Sequence, residues 1–175
     1  HGGSSEGAIR QALEGRAAVR RRPDGKPEAS GGWHVSAAHA GRLVLAVAGR
    51  SALSCDLEPV VSRPRSVWRE LLGDEGWALA ERLHSESEDT LEVSATRVWS
   101  ARECLKKSGA SPLVPLVLDR AHADGWTCLV SGQRTLATFL AAVRGQDAPL
   151  ILAFFFGGAS AEAGKTPLAS GDARV

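Results

Sequence analysis

Trp99-Ser100-Ala101-Arg102-Glu103-Cys104-Leu105-Lys106-Lys107-Ser108-Gly109 is the stretch on which the reading of this chain turns. An apolar stripe of Leu91, Ala95, Val98, Ala101 and Leu105 leads into it at helical spacing, so a helix over 91–107 is expected. Gly109 stands where a left-handed C-terminal cap belongs. At about 100° per residue, Trp99, Glu103 and Lys107 form a second stripe, spaced by four and turned away from the apolar one. The plain reading of that stripe is an exposed face with a Glu103–Lys107 pair. Trp99 argues against it, because indole is costly to leave in water. If Trp99 is covered, Glu103 lies in a cleft. Arg102 points into the apolar stripe, so it either snorkels out or meets a buried anion.

Working outward, Ala52 to Glu58 alternates strictly. Leu53, Cys55 and Leu57 take one face of a strand; Ser54, Asp56 and Glu58 take the other. Pro59 stops it, having no N–H for a ladder. Two carboxylates side by side suit a hard cation such as Mg2+, although a DxE pair on its own is a weak signal and more often marks a solvated polar face. Before this strand, Glu6 to Arg22 has helical periodicity through Ile9, Leu13, Ala17 and Arg20. Residues 21–27, with Asp24-Gly25 between prolines, form a turn, and 28–32 a loop. Trp33 to Ser36 reads as a short strand, Ala37 to Gly41 as a tight connection, and Leu43 to Ala48 as a buried strand ending in a hairpin turn at Gly49-Arg50-Ser51.

Two short helices, 65–72 and 74–83, are expected to be split at Gly73, followed by an acidic loop over 85–89 that caps the next helix. Beyond Gly109, residues 113–118, 127–132, 135–143 and 150–156 read as strands; 135–143 suits a helix equally. The last stretch, 159–175, is rich in Ala, Gly and Ser and is expected to be a disordered tail after a single domain over 1–158. The fold class is therefore α+β.

A net charge of +1 gives no argument for nucleic acid as a partner. The longest apolar run, 149–156, is far shorter than the roughly 20 residues of a bilayer span, so no membrane is expected. Three isolated cysteines, without CxxC spacing, point away from disulfides and structural zinc and toward a reducing, cytoplasmic setting. The stretch begins at His1 and holds no Met, which reads as a domain taken from a longer protein. His34, His84 and His122 fit solvated or structural roles, and a lone histidine such as His39 is more often structural than catalytic.

The order of the blocks says more than any one of them. Lys26 between Gly25 and Pro27, then Val35-Ser36 and His39, then Asp56-Leu57-Glu58, then Trp99-Ser100-x-Arg102-Glu103-x-x-x-Lys107-x-Gly109 resembles the 4′-phosphopantetheinyl transferases, in particular the surfactin-synthetase-activating type. The wording of Val98 to Lys107 and of Ala38 to Gly49 is similar to the C-terminal domain of iterative enediyne polyketide synthases. The resemblance covers about residues 24–109, and its last block is the most specific part.

What the resemblance implies is a Mg2+-dependent holo-[acyl-carrier-protein] synthase. It implies small antiparallel sheets packed with helices, in a pseudo-repeat partly truncated at the N-terminus. Asp56, Glu58 and Glu103 would hold Mg2+; Glu103, Lys107 and His39 would be catalytic; Lys26, His39, Arg102 and Lys107 would bind coenzyme A. The partner would be an acyl carrier protein, within the same synthase or outside it. A second copy of the chain is one way to complete the short first half. Two features depart from the family pattern: Ala38 stands where a serine usually precedes the histidine, and the N-terminal part is short. A catalytically weak docking or structural domain of a synthase is the alternative. An unrelated Mg2+-dependent phosphoryl-transfer or hydrolytic enzyme is a third reading, and no Walker-type phosphate loop supports it.

Overall fold

The computed structural model describes residues 4–111, 114–122 and 124–157. Its elements follow the order α1 (Ser5–Leu13), β1 (Val19–Arg21), β2 (Pro27–Ala29), β3 (His34–Ala40), β4 (Leu43–Gly49), β5 (Leu53–Pro59), α2 (Arg65–Glu86), α3 (Leu91–Lys107), β6 (Val117–Ala121), β7 (Trp126–Ser131), β8 (Arg134–Ala141) and β9 (Leu150–Phe156). The α+β class is observed. Strands β5-β9-β8-β7-β6 make a five-stranded antiparallel sheet in that order, and β1-β2 and β3-β4 are separate two-stranded ribbons.

The alternation of β5 decides how the layers stack. Cys55 and Leu57 face a core shared with Ala38, Ala40 and Leu150, on which the β3–β4 ribbon lies. Ser54, Asp56 and Glu58 face the other way, toward α3. On that side Val98, Ala101 and Leu105 of α3 pack with Leu129, Leu136 and Phe155 of the sheet, and Trp68, Leu72 and Leu79 of α2 close the layer. α1 covers β3 and β4 on the far side. No helix among the described residues is long and apolar enough to cross a membrane.

Helix α3 has the expected limits, for local reasons. Thr90 caps its start, accepting a hydrogen bond from Val93 N. At its end Gly109 has φ 74, with Gly109 N donating to Lys106 O and Ala110 N to Leu105 O. That pair of bonds is a Schellman cap. The break at Gly73 is also observed: it takes φ 64 and ψ 174 inside α2, dividing the helix into two pieces.

Several expectations are corrected. The first helix stops at Leu13, where Glu14 adopts a left-handed backbone with φ 50, and the residues around Arg20 form the β1–β2 ribbon instead. Part of the loop expected over 28–32 belongs to β2. Residues 37–40 continue β3 rather than forming a connection, because each pairs with β4 up to Ala40↔Leu43. β4 is only half-buried at every position, not a buried strand. The turn after Gly49 makes no hairpin, since β5 pairs with β9. α2 runs on to Glu86, and Thr90, not the acidic loop, caps α3. Residues 134–141 are a strand, and β6 begins at Val117. Leu113 and the expected tail, 159–175, lie outside the described residues.

Candidate functional site

The strand face bearing Asp56 and Glu58 meets the polar stripe of α3. Ser100 Oγ donates to Asp56 Oδ2 at 2.8 Å, and Lys107 Nζ donates to Asp56 Oδ1 at 2.7 Å and to the Cys55 carbonyl at 3.2 Å. Trp99 Nε1 donates to Glu58 Oε1 at 3.1 Å. Trp99 is therefore half-covered, with its polar edge spent on a carboxylate. Asp56 is 4% exposed, so its charge is buried and must be compensated, and Lys107 provides the compensation.

On the helix wheel Glu103 falls inside the arc spanned by Trp99, Ser100 and Lys107, all three of which touch the two carboxylates. Its carboxylate, however, turns to Lys106 Nζ at 3.4 Å. Among the described residues no three His, Cys, Asp or Glu side chains stand close enough to share a metal ion, so the expected three-carboxylate set is not assembled. The reason is local. With Asp56 neutralised by Lys107, Glu103 takes its nearest cation.

The donor set nonetheless fits a hard divalent ion. Asp56 and Glu58 offer oxygens only, from one strand face. Burial, reinforced by the negative charge of Asp56, pushes the Glu58 carboxyl above the ordinary glutamate range in spite of the Trp99 hydrogen bond. A carboxylate pair whose second member resists ionisation is one that a cation would relieve.

The remaining candidates lie elsewhere. His39 is exposed on the face of β3 opposite Ser36, Ala38 and Ala40, and its Nε2 hydrogen-bonds Ser5 Oγ of α1. Ala38 is buried against Cys55 and Leu57, and Ser36 Oγ accepts from Cys55 N at 3.1 Å, stitching β3 to the outer edge of β5. Lys26 is exposed in the β1–β2 turn, where its backbone N donates to Asp24 Oδ1. Arg102 snorkels: it is exposed, and its guanidinium donates to the Leu72 carbonyl beside the Gly73 break. The structure thus joins Asp56, Glu58 and Lys107 with Trp99 and Ser100, and does not tie His39, Lys26 or Arg102 to them.

Two further features border the site. A cavity of about 670 Å³ opens between α2, α3 and residues 114–117, walled by Leu71, Leu79, Leu105 and Leu116, with Glu103 and Trp99, which also bonds Glu58, in its lining. Arg97, which sequence reasoning passed over, is fully buried. It pairs with Asp89 at 2.7 Å and donates to Thr138 and to the Gly125 carbonyl, fixing α3 to the sheet. Its signal was an arginine four residues before Ala101 on the buried side of the helix. No family model and no curated protein sequence matches this chain.

Proposed function

We propose that this chain is a Mg2+-dependent 4′-phosphopantetheinyl transferase that converts an apo acyl carrier protein to its holo form with coenzyme A as co-substrate. The fold is read as the phosphopantetheinyl-transferase type with a shortened first half, acting in the cytoplasm on a carrier of a polyketide synthase. The observation that carries this reading is the facing of the Asp56/Glu58 strand by the Trp99-to-Lys107 helix.

Mg2+ held by Asp56 and Glu58, with Glu103 swung to join them, would offset the charge of the coenzyme A diphosphate. The carrier serine oxygen attacks the β-phosphorus. The bond from that phosphorus to the bridging oxygen breaks, and adenosine 3′,5′-bisphosphate departs with the electron pair. Glu103 accepts the serine proton. The Lys107 ammonium lies beside Asp56 on a flexible stem, and swung to a phosphate oxygen it would offset the charge that grows there in the transition state. Lys26, exposed at its turn, and Arg102 on the surface of α3 are open to the remaining phosphates. The apolar cavity beyond Glu103 offers a surface for the carrier.

A second reading, a docking domain with weak catalysis, is favoured by His39: it faces α1, and Ala38 before it is in the core. One assay separates the two. The domain is incubated with apo carrier protein, coenzyme A and Mg2+, and the carrier is weighed by intact mass spectrometry. Addition of phosphopantetheine is the expected result; no addition across varied carriers overturns the enzymatic reading.

A further inference from the structure

Each oxygen of Asp56 already accepts one hydrogen bond. Oδ2 accepts from Ser100 Oγ, and Oδ1 accepts from Lys107 Nζ. A metal ion has a lone pair left to it on either oxygen, but it sets a second cation beside the Lys107 ammonium, and their repulsion favours the departure of a donor. The two are unequal. Ser100 is fully buried and short, with nowhere to go. The Lys107 side chain is 34% exposed and ends a flexible four-carbon stem, so it can leave into solvent.

We infer that Lys107 is the resident cation of this site: it holds Asp56 in the metal-free protein and exchanges with the divalent ion, while Ser100 keeps the carboxylate aimed in both states. The inference rests on the metal reading given above and adds an order of events to it. Ion binding releases the ammonium from Asp56 and frees it for the anionic group of the substrate that arrives next. One lysine then serves two partners in turn, and the buried carboxylate is never left without a positive neighbour. Glu103 and Lys106 complete the exchange on the same helix, because a cation at Asp56 and Glu58 gives Glu103 a reason to leave Lys106.

The exchange makes metal and Lys107 antagonists at Asp56, an effect that binding alone can read. Mn2+ affinity is measured by electron paramagnetic resonance or calorimetry, without coenzyme A or carrier, for the wild type and for Lys107→Met, Lys107→Gln and Lys107→Arg. Removing a competing, partly exposed ion pair is expected to tighten Mn2+ by about fivefold in Lys107→Met. The metal-free variant melts a few degrees lower, and Mn2+ raises its melting temperature by more than it raises that of the wild type. Lys107→Gln gives the same result by a polar route, and Lys107→Arg, which keeps the charge, binds no tighter than the wild type. Equal or weaker Mn2+ binding by both neutral variants overturns the exchange and leaves the metal reading standing. Tightening in Lys107→Arg as large as in Lys107→Met overturns it as well, since charge would then not be the cause. Absence of Mn2+ binding in the wild type and the neutral variants alike overturns the metal reading, and the exchange with it.

Discussion

Two ion pairs sit at opposite ends of α3, and they are built differently. At the N-terminal end Arg97 and Asp89 are 2% and 14% exposed. All five guanidinium N–H groups are used: on both Asp89 oxygens, on the Thr138 hydroxyl and carbonyl, and on the Gly125 carbonyl. At the C-terminal end Lys107 bonds Asp56 and the Cys55 carbonyl, and its side chain stays 34% exposed. A planar fork that is saturated has no reason to move, whereas a point charge on a flexible stem does. One end of the helix is a rivet and the other a catch, so the helix can hold a working site without itself shifting.

The contrast breaks most visibly at Arg97. Arg97→Met leaves Asp89 part-buried without its cation and is expected to cost about 3–5 kcal/mol in urea unfolding, while Mn2+ affinity of the folded fraction stays at the wild-type value. A loss below about 1 kcal/mol would show that this end is no rivet. Next comes Glu103→Ala, which should lower transfer to the carrier by on the order of 10²–10³-fold with an unchanged melting temperature; retained activity removes Glu103 from its role.

Smaller is the effect of Ser100→Ala. It deprives the buried Asp56 Oδ2 of its donor, and a stability loss of about 1–3 kcal/mol is expected, with weaker Mn2+ binding because the carboxylate is no longer aimed. Unchanged stability and affinity together would reduce Ser100 to a bystander.

The smallest effect concerns Cys104, between the two pairs. Burial pushes its thiol from 9.0 up to about 12, outweighing the Ser54 hydrogen bond. The folded protein keeps this proton when the unfolded chain loses it. The thiol's contribution is therefore level below pH 9.0 and falls as pH rises above that value. Urea midpoints across that range should decline less steeply in Cys104→Ala than in the wild type; parallel slopes would deny the shift.

How much of this was legible in the sequence differs between the two ends of the chain. The limits of α3 could be read because its apolar stripe and Gly109 agree, although the cap at its start is Thr90 and not the acidic loop. The Asp56/Glu58 face could be read because a strand has period two. The first forty residues resisted. Ile9 and Leu13 gave a true helical signal, but Ala17 and Arg20 carried the period past the point where Glu14 turns left-handed. His39 was placed differently for another reason: the sequence suggested a tight connection over 37–41, and the structure continues β3 through it. Pairing with β4, which no local pattern encodes, makes that segment a strand, and its packing on β5 puts Ala38 inside and His39 out. Arg97 required knowing that residues 89, 125 and 138 converge, which no local pattern encodes.

The position of β5 in its sheet has a consequence for how the protein is made. This strand is at the edge, and its one ladder partner is β9, with Leu53 opposite Phe156. Pairing across so long a loop is slow and late in folding. On a ribosome, Asp56 and Glu58 would emerge early and wait, with α3 already formed, until β9 left the exit tunnel. Synthesis would thus complete the carboxylate site last, so a nascent or C-terminally clipped chain ending before Leu150 would carry every residue of the site and still not possess it.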